Sequence, residues 1–245
     1  CACLNTLRFG FALKNPFLMT NESGSVYSNP IQSTPVLCSF VSRPTNPSYP
    51  GGGNDKPAEP TMPFTDVDDA WYTNAIQYVY ENDLMVGTST TTFEPVLKLN
   101  RAMAAQILYN LEGQPVVTGM ATFTDTDDAG AWAVKAITWA EQNDVVEGIG
   151  DGLFDPTANV TREQFAQMMY YYAKYKKYDL TKTGDLSNFE DEAKISSWAV
   201  TAMSWANGNG LINGHEDTGL IDPAGTTTRA QAANIIMNFD LNVVK

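Results

Sequence analysis

The chain has 245 residues, 43% of them hydrophobic, and a formal net charge of −13. The hydrophobic content excludes wholesale disorder and allows a packed core. The negative charge argues against nucleic acid or an anionic membrane surface as a partner held by bulk attraction. No apolar run approaches the roughly 20 residues of a membrane span, which argues against membrane insertion. An anion bound by this protein must therefore be held by a local arrangement of residues.

The first 63 residues carry no recognisable fold. Residues 1–44 are rich in Asn, Ser, Thr and Pro, and we interpret them as the remnant of an upstream region. Their cysteines, Cys1, Cys3 and Cys38, form no CxxC pair and indicate neither a zinc site nor a disulfide framework. Lipidation of Cys1 stays open as an alternative. Residues 45–63 are dense in Pro and Gly and predict an extended linker.

From residue 64 onward the sequence repeats itself three times. The segments FTDVDD, FTDTDD and FEDEA begin at Phe64, Phe123 and Phe189. Each segment is followed by a tryptophan, then a glycine, then an arginine, at nearly constant spacing. The three sets are Trp71, Gly87 and Arg101; Trp132, Gly148 and Arg162; and Trp198, Gly214 and Arg229. This agreement predicts three tandem repeats, which we place at residues 64–122, 123–188 and 189–245.

Each repeat is predicted to form a helix, a loop and a second helix, so the predicted fold class is mainly α. In the first helix, Trp132, Ala136 and Trp139 fall on one face at helical spacing, and the Asp-rich segment before the tryptophan offers capping oxygens. The second helices are predicted to open with Thr–Gln capping boxes, or with Asn100 alone in the first repeat. The boxes pair Thr161 with Gln164 and Thr228 with Gln231. Because one repeat is too small to bury both helices, the three should pack together.

The arginines stand where a cation is least favourable. Arg101, Arg162 and Arg229 are the only arginines between residues 64 and 245, and each lies at the start of a second helix. A cation there opposes the helix dipole and costs about 0.3–1 kcal/mol. One interpretation is an anion site, built from the guanidinium and free amide groups of the helix. The other is a bridge to an aspartate of a neighbouring repeat, for which the candidates are Asp66, Asp125 and Asp191.

These motifs resemble the S-layer homology (SLH) domain. Its pattern runs from Phe-x-Asp through Trp-Ala and Gly-x-x-Asp-Gly-x-Phe-x-Pro to Thr-Arg-Ala-Glu. The resemblance covers all three repeats and implies a pseudo-threefold spindle around a central three-helix bundle, with ligand grooves between adjacent repeats. It also implies an extracellular anchor at the cell wall or S-layer. The implied partner is bacterial secondary cell-wall polysaccharide, in particular polymer that bears pyruvate ketals.

The resemblance assigns the ligand-binding residues. The arginines would meet the ketal carboxylate, and Gly87, Gly148 and Gly214 would let sugar approach the backbone. The loop residues Asp151 and Asp217 belong to the same set, as do Trp71, Trp132 and Trp198, for which a place in the core stays an alternative to a sugar platform. The first repeat lacks the Asp-Gly pair of the loop, so we expect the groove that depends on this loop to bind weakest.

Two other functions compete with this one. A calcium-dependent surface adaptor would suit the acidic segments, but an EF-hand loop that starts at Asp151 fails at Leu153, Pro156 and Arg162. An enzyme is disfavoured for residues 64–245, because His215 is the chain's single histidine and no cysteine lies in this part. The chain could still be the C-terminal part of a secreted polysaccharide-degrading enzyme. The sequence indicates no cofactor and no metal site.

Overall fold

The computed structural model describes residues 62–244, and the predictions for residues 1–44 and for nearly all of the linker lie outside this range. The described part is mainly helical, as predicted. Its α-helices are α1 (Thr73–Glu81), α2 (Arg101–Leu111), α3 (Ala131–Gln142), α4 (Arg162–Lys176), α5 (Val200–Gly208) and α6 (Arg229–Asn242). Short 3-10 turns lie at Thr126–Ala129, Leu186–Asn188 and Glu192–Lys194. Each repeat therefore contributes a helix, a loop and a second helix.

The second helix of each repeat begins as the sequence predicts. Thr161 and Thr228 accept hydrogen bonds from the backbone amides of Gln164 and Gln231, whose side chains bond back to the capping residues. Asn100 caps α2 by accepting from the amide of Met103. These caps fix the first turn of α2, α4 and α6, and so place one arginine at the first position of each helix.

The first helix of each repeat begins differently from the prediction. Helices α1, α3 and α5 have no hydrogen bond from a capping side chain, so the prediction that the Asp-rich segments cap them is wrong. Trp71 and Trp198 lie before the first helical residue, and Trp132 lies at the second residue of α3. The apolar helical face predicted from the sequence begins at these tryptophans. In the structure Trp71 and Trp198 precede their helices, so the predicted face begins before the helix does.

Helices pack mainly across repeats. Helix α2 packs against α3, α4 against α5, and α6 against α1. The rings of Tyr109 and Trp139 lie 5.7 Å apart in the first of these pairs, and those of Tyr170 and Trp205 lie 5.6 Å apart in the second. In the third pair Tyr78 donates a hydrogen bond to Asp240. Each second helix thus finds its partner in the next repeat, and the third repeat returns to the first.

Short extended segments before the second helices close the same cycle. The amide of Leu99 donates to the carbonyl of Thr227, that of Thr227 to Val160, and that of Val160 to Leu99, over 2.8–2.9 Å. All three residues are fully buried. The predicted packing of three repeats together is confirmed by these contacts. The spindle with its central three-helix bundle stays a prediction.

Candidate ligand-binding junctions between the repeats

The predicted arginines and glycine loops meet at the three contacts between consecutive repeats. We call these the first junction (Arg101 with Trp132 and the Gly148 loop), the second junction (Arg162 with Trp198 and the Gly214 loop) and the third junction (Arg229 with Trp71 and the Gly87 loop). In each junction the arginine comes from one repeat and the loop from the next. The arginine of a repeat thus works with its neighbour's glycine, which the spacing along the chain does not reveal.

Each arginine holds two backbone carbonyls of the neighbouring loop. At the first junction, Nε of Arg101 donates to the carbonyl of Phe154 at 2.7 Å and Nη2 donates to Glu147 at 2.6 Å. Arg162 makes the same pair of bonds to Ile221 and Asn213, at 2.8 and 2.6 Å. Arg229 repeats them on Phe93 and Val86. The guanidinium therefore joins consecutive repeats.

An aspartate of the loop's own repeat holds the loop from the other side. The two carboxylate oxygens of Asp66 accept from the amides of Phe93 and Glu94, at 2.8 and 2.7 Å. The carbonyl of Phe93 and the amide of Glu94 belong to one peptide group, which therefore lies between this carboxylate and Arg229. Asp125 and Asp191 hold the corresponding peptide groups at the other two junctions. Charged partners on both sides polarise the peptide and strengthen both hydrogen bonds.

Hydrogen bonds from backbone amides lower the pKa of two of these aspartates. Burial alone would raise the pKa of the Asp66 carboxyl, but the hydrogen bonds from the Phe93 and Glu94 amides outweigh it, so that the pKa lies below its usual value. The amides of Ile221 and Asp222 outweigh burial in the same way and lower the pKa of Asp191. Both carboxylates are thus stabilised in the ionised form.

The amides at the start of the second helices are already used. The amides of Arg101 and Ala102 donate to the carbonyls of Ala158 and Pro156, across the first junction, and α4 and α6 repeat this arrangement. The next amide of each helix is satisfied by the cap. The prediction of free helix amides that would receive an anion is therefore wrong. The alternative, a bridge from the arginine to an aspartate of the neighbouring repeat, agrees better with the observed contacts. The arginine does not touch the aspartate, however: it bonds to backbone carbonyls, and a peptide group lies between the two side chains.

One edge of each guanidinium stays open. The arginine side chains are only 6–8% exposed, and burial lowers their pKa below the usual value, partly offset by nearby carboxylates. The hydrogen bonds to the loop use Nε and Nη2. In the described part of the chain, no arginine Nη1 atom is both fully buried and without a hydrogen-bond partner. It follows that Nη1 keeps contact with solvent. The guanidiniums of Arg101 and Arg229 also lie over the rings of Phe154 and Phe93, at 4.5 and 4.4 Å.

The loop glycines have an internal reason to be glycine. A Cβ atom on Gly148 would lie 2.6 Å from the carbonyl oxygen of Leu153 and 2.7 Å from the ring of Phe123. Gly87 and Gly214 meet Phe64 and Phe189 in the same way. The phenylalanine that opens each repeat therefore packs directly on the glycine of its loop. Binding of sugar at these glycines stays a prediction.

The tryptophans lie at the surface. Trp71, Trp132 and Trp198 are 64%, 51% and 52% exposed, so the alternative that places them in the core is wrong. Each lies at the start of the helix that packs against the arginine's own helix, within two residues of its first helical residue. At the second junction, Glu163 next to Arg162 accepts hydrogen bonds from the amide and hydroxyl of Ser196, two residues before Trp198. Asp151 and Asp217 lie in exposed turns of the adjoining loops.

The three junctions differ in their surroundings. The third has a cavity of about 370 Å³ lined by Tyr72, Asp66 and residues 94–97, beside the start of α6. At the second, Ile221 replaces the phenylalanine under the arginine, and Glu163 adds a bridge that an alanine cannot make in the other repeats. Sequence reasoning missed Glu163 and Ser196 altogether. It noted Asp66, Asp125 and Asp191 but not their role, which their shared position in the Phe-x-Asp segment could have indicated.

Two other kinds of site are absent from the described residues. Between residues 62 and 244, no three His, Cys, Asp or Glu side chains are grouped so that they could hold a metal ion. In the same range no helix combines the length and apolar character needed to cross a bilayer.

Comparison with known proteins agrees with the three repeats. The family model of the S-layer homology domain matches residues 63–105, 122–166 and 188–233. The chain is 32% identical over 176 residues to an endoglucanase of Bacillus sp. (strain KSM-635), which covers 71% of this chain and 18% of that protein. It is 29% identical over 174 residues to the surface-layer 125 kDa protein of Lysinibacillus sphaericus, covering 69% and 14%. Exoglucanase XynX of Acetivibrio thermocellus is 29% identical over 177 residues, covering 72% and 16%. The chain thus spans less than a fifth of the length of these relatives.

Proposed function

Because the chain belongs to the S-layer homology domain family, whose domain is a non-catalytic module that anchors proteins at the cell surface, we propose that it binds secondary cell-wall polysaccharide bearing pyruvate ketals. The ligand sites are the three junctions. At each one the ketal carboxylate meets the arginine, and the sugar ring lies on the exposed tryptophan.

The observation that carries this proposal is that every junction combines a buried, oriented guanidinium with an exposed indole at the start of the adjoining helix. Two hydrogen bonds to the neighbouring loop fix the plane of the guanidinium and leave Nη1 as the open donor. A carboxylate that reaches this donor makes a charge-assisted hydrogen bond in a partly desolvated place. An exposed indole offers a flat apolar surface to a sugar ring and keeps a polar N–H for a hydroxyl group. Together they select an acidic sugar despite the protein's net negative charge.

The junctions are not expected to bind equally. The third junction depends on the loop of the first repeat, GTSTTTFEP, which lacks the Asp-Gly turn present at Asp151 and Gly152 of the second repeat. We therefore assign the weakest binding of pyruvylated polymer to the third junction. Three modest sites on one polymer still give firm attachment, because binding at one raises the effective concentration at the others.

The exposed tryptophans provide the cleanest test. Replacing Trp132 or Trp198 by alanine removes a ligand surface while leaving the core intact, since about half of each side chain already faces solvent. We expect each single variant to bind about three- to tenfold more weakly to a soluble pyruvylated fragment, and the double variant to lose sedimentation with pyruvylated wall sacculi. Trp71→Ala should have a smaller effect.

The matched control is Leu241→Ala, which removes another exposed apolar side chain near the far end of α6. It should bind like the wild type. Sacculi from which the ketals have been removed should release the wild-type protein. Undiminished binding of the Trp132 and Trp198 double variant, or equal binding to both kinds of sacculi, would contradict the proposal.

A second candidate concerns the whole protein. Two of the relatives named above are glucanases, and on this ground the anchoring module would belong to a secreted polysaccharide-degrading enzyme. Turnover of a soluble β-glucan by the full-length gene product would support this candidate. Its failure would leave wall binding by residues 64–245 unaffected.

A further inference from the structure

We propose that His215 makes the second junction sensitive to pH, by adding a second positive charge for the acidic ligand when its imidazole is protonated. This inference rests on the proposed function. It concerns the strength of one junction, and it does not bear on whether the other two bind.

His215 lies inside the loop that the arginine holds. Two residues earlier, the carbonyl of Asn213 accepts the 2.6 Å hydrogen bond from Arg162. The imidazole Nε2 of His215 is 3.6 Å from the Oδ2 atom of Asp222, and the two side chains are 33% and 49% exposed. Asp222 directly follows Ile221, whose carbonyl receives the other bond from Arg162. The histidine and its partner therefore belong to the two backbone segments that Arg162 bonds, and both side chains are partly exposed to solvent.

The carboxylate of Asp222 decides the sign of the effect. Asp191 is occupied by the amides of Ile221 and Asp222, and Glu163 is occupied by Ser196. In contrast, the Asp222 carboxylate faces the imidazole and acts on Arg162 only through its electric field. With a neutral imidazole, this negative charge opposes an incoming ketal carboxylate. With a protonated imidazole the charge is neutralised, and repulsion of the ligand falls. Glu216 and Asp217, in the same exposed turn, add a negative background that is present in both states.

The other junctions have no equivalent group. The residue after the loop glycine is Thr88 in the first repeat and Ile149 in the second. His215 is also the single histidine of the chain, and histidine is the side chain whose charge ordinarily changes between pH 5 and 8. Carboxylates, including a ketal carboxylate, stay ionised over this range. A change in affinity between pH 8 and 5.5 that is lost in His215→Gln would therefore originate at the second junction.

The experiment compares His215 variants in binding and in titration. A methyl hexoside bearing one pyruvate ketal serves as the probe, and its ketal-free form is the control. We expect the wild type to bind about three- to tenfold more tightly at pH 5.5 than at pH 8, less so in high salt. His215→Gln should bind equally at both values, at the wild-type level of pH 8, and His215→Lys should bind at both like the wild type at pH 5.5. Because binding and protonation are reciprocal, the probe should also raise the titration midpoint of the single imidazole NMR signal.

The outcomes separate the two proposals. A probe that binds at neither pH, to any variant, overturns the proposed function. A probe that binds with a pH response unchanged in His215→Gln, or that leaves the imidazole titration unmoved, overturns this inference alone. Asp222→Asn provides the complementary variant, which should bind more tightly than the wild type at pH 8 and respond less to acid. Weaker binding of Asp222→Asn at pH 8 would also overturn the inference.

Discussion

The guanidinium of Arg101 lies at the first position of a helix, and its hydrogen bonds lead away from that helix to the next repeat. Hydrogen bonds from a charged group each contribute about 1.5–3 kcal/mol, which exceeds the roughly 0.3–1 kcal/mol lost to the helix dipole. The unfavourable local position is thus explained by the neighbouring loop. The sequence showed that the arginine recurs at an unfavourable helix position, but it could not show the partners of the guanidinium. Those partners are backbone carbonyls, which every residue type has, so no residue pattern reveals them.

The tryptophans show, also at the residue scale, that helical spacing alone does not predict which side chains are buried. Trp132 and Trp139 are spaced as one helical face, yet Trp132 is half exposed and Trp139 is buried. The helix begins at Ala131, so Trp132 lies in its first turn, at the edge of the packed face. A spacing rule assumes a continuous helix with neighbours along its whole length, and this assumption fails at helix ends.

One buried hydroxyl provides a prediction at the residue scale. Thr227 is fully buried with Leu99 and Val160, and its Oγ1 atom has no hydrogen-bond partner. Replacing it by valine keeps the branched shape and removes the unpaired polar atom, so Thr227→Val should raise the free energy of unfolding by about 1–2 kcal/mol. Urea denaturation measures this change. The exposed Thr157→Val should change stability by less than about 0.5 kcal/mol, and a destabilised Thr227→Val would show that the hydroxyl is satisfied in solution.

At the scale of the element, the loop between the helices is held on both its sides. Asp66, Asp125 and Asp191 bind its amides, and the phenylalanine at the start of the repeat packs on its glycine. The starts of the second helices were predictable because a capping box is local in sequence. The role of the aspartates was not, because their partners lie about 30 residues away and a carboxylate suits a helix start equally well.

The aspartates predict a specific loss of stability in acid. The folded-state pKa of Asp66 and Asp191 lies below the value of about 3.9 in the unfolded chain. Their contribution is therefore fully present above about pH 4 and is lost as the pH falls through the folded-state pKa. We expect Asp66→Asn and Asp191→Asn to lower the free energy of unfolding by about 1–2 kcal/mol at pH 6 and by much less near pH 2.5.

Urea titrations at a series of pH values measure this convergence. Asp68→Asn is the matched control, since Asp68 is an exposed aspartate two residues from Asp66. It should leave the pH dependence of the wild type unchanged. A gap between the wild type and Asp191→Asn that persists undiminished at the lowest pH would refute the electrostatic origin of the effect.

On the scale of the whole molecule, the main contacts link each repeat to the next, and the third to the first. The sequence established the number of repeats and the type of their elements. It could not tell whether the two helices of a repeat pack on each other or on neighbours, because similar repeats present equivalent apolar faces in both cases. Only the positions of Tyr109 against Trp139, and of their counterparts, resolve this choice.

This closure predicts one cooperative unfolding transition. Arg229→Met breaks two hydrogen bonds at the third junction, between the repeats most distant in sequence. We expect it to lower the free energy of unfolding by about 2–4 kcal/mol and the melting temperature by roughly 5–10 °C. Calorimetry should show one transition, and hydrogen exchange should show lowered protection in α3 and α4 as well as in α6. The exposed Lys98→Met is the control and should melt like the wild type. Separate melting of the first two repeats in Arg229→Met would refute the cooperative cycle.

The contact between repeats is directional: the start of a helix on one repeat binds a loop on the next, and these two surfaces differ. Such head-to-tail binding leaves every open series with an unfilled surface at each end, and only a ring removes both. The return of α6 to α1 therefore closes the ring at three repeats in the described part of the chain. A fourth copy would find no vacant surface, whereas a solitary copy would carry two and would recruit others like itself.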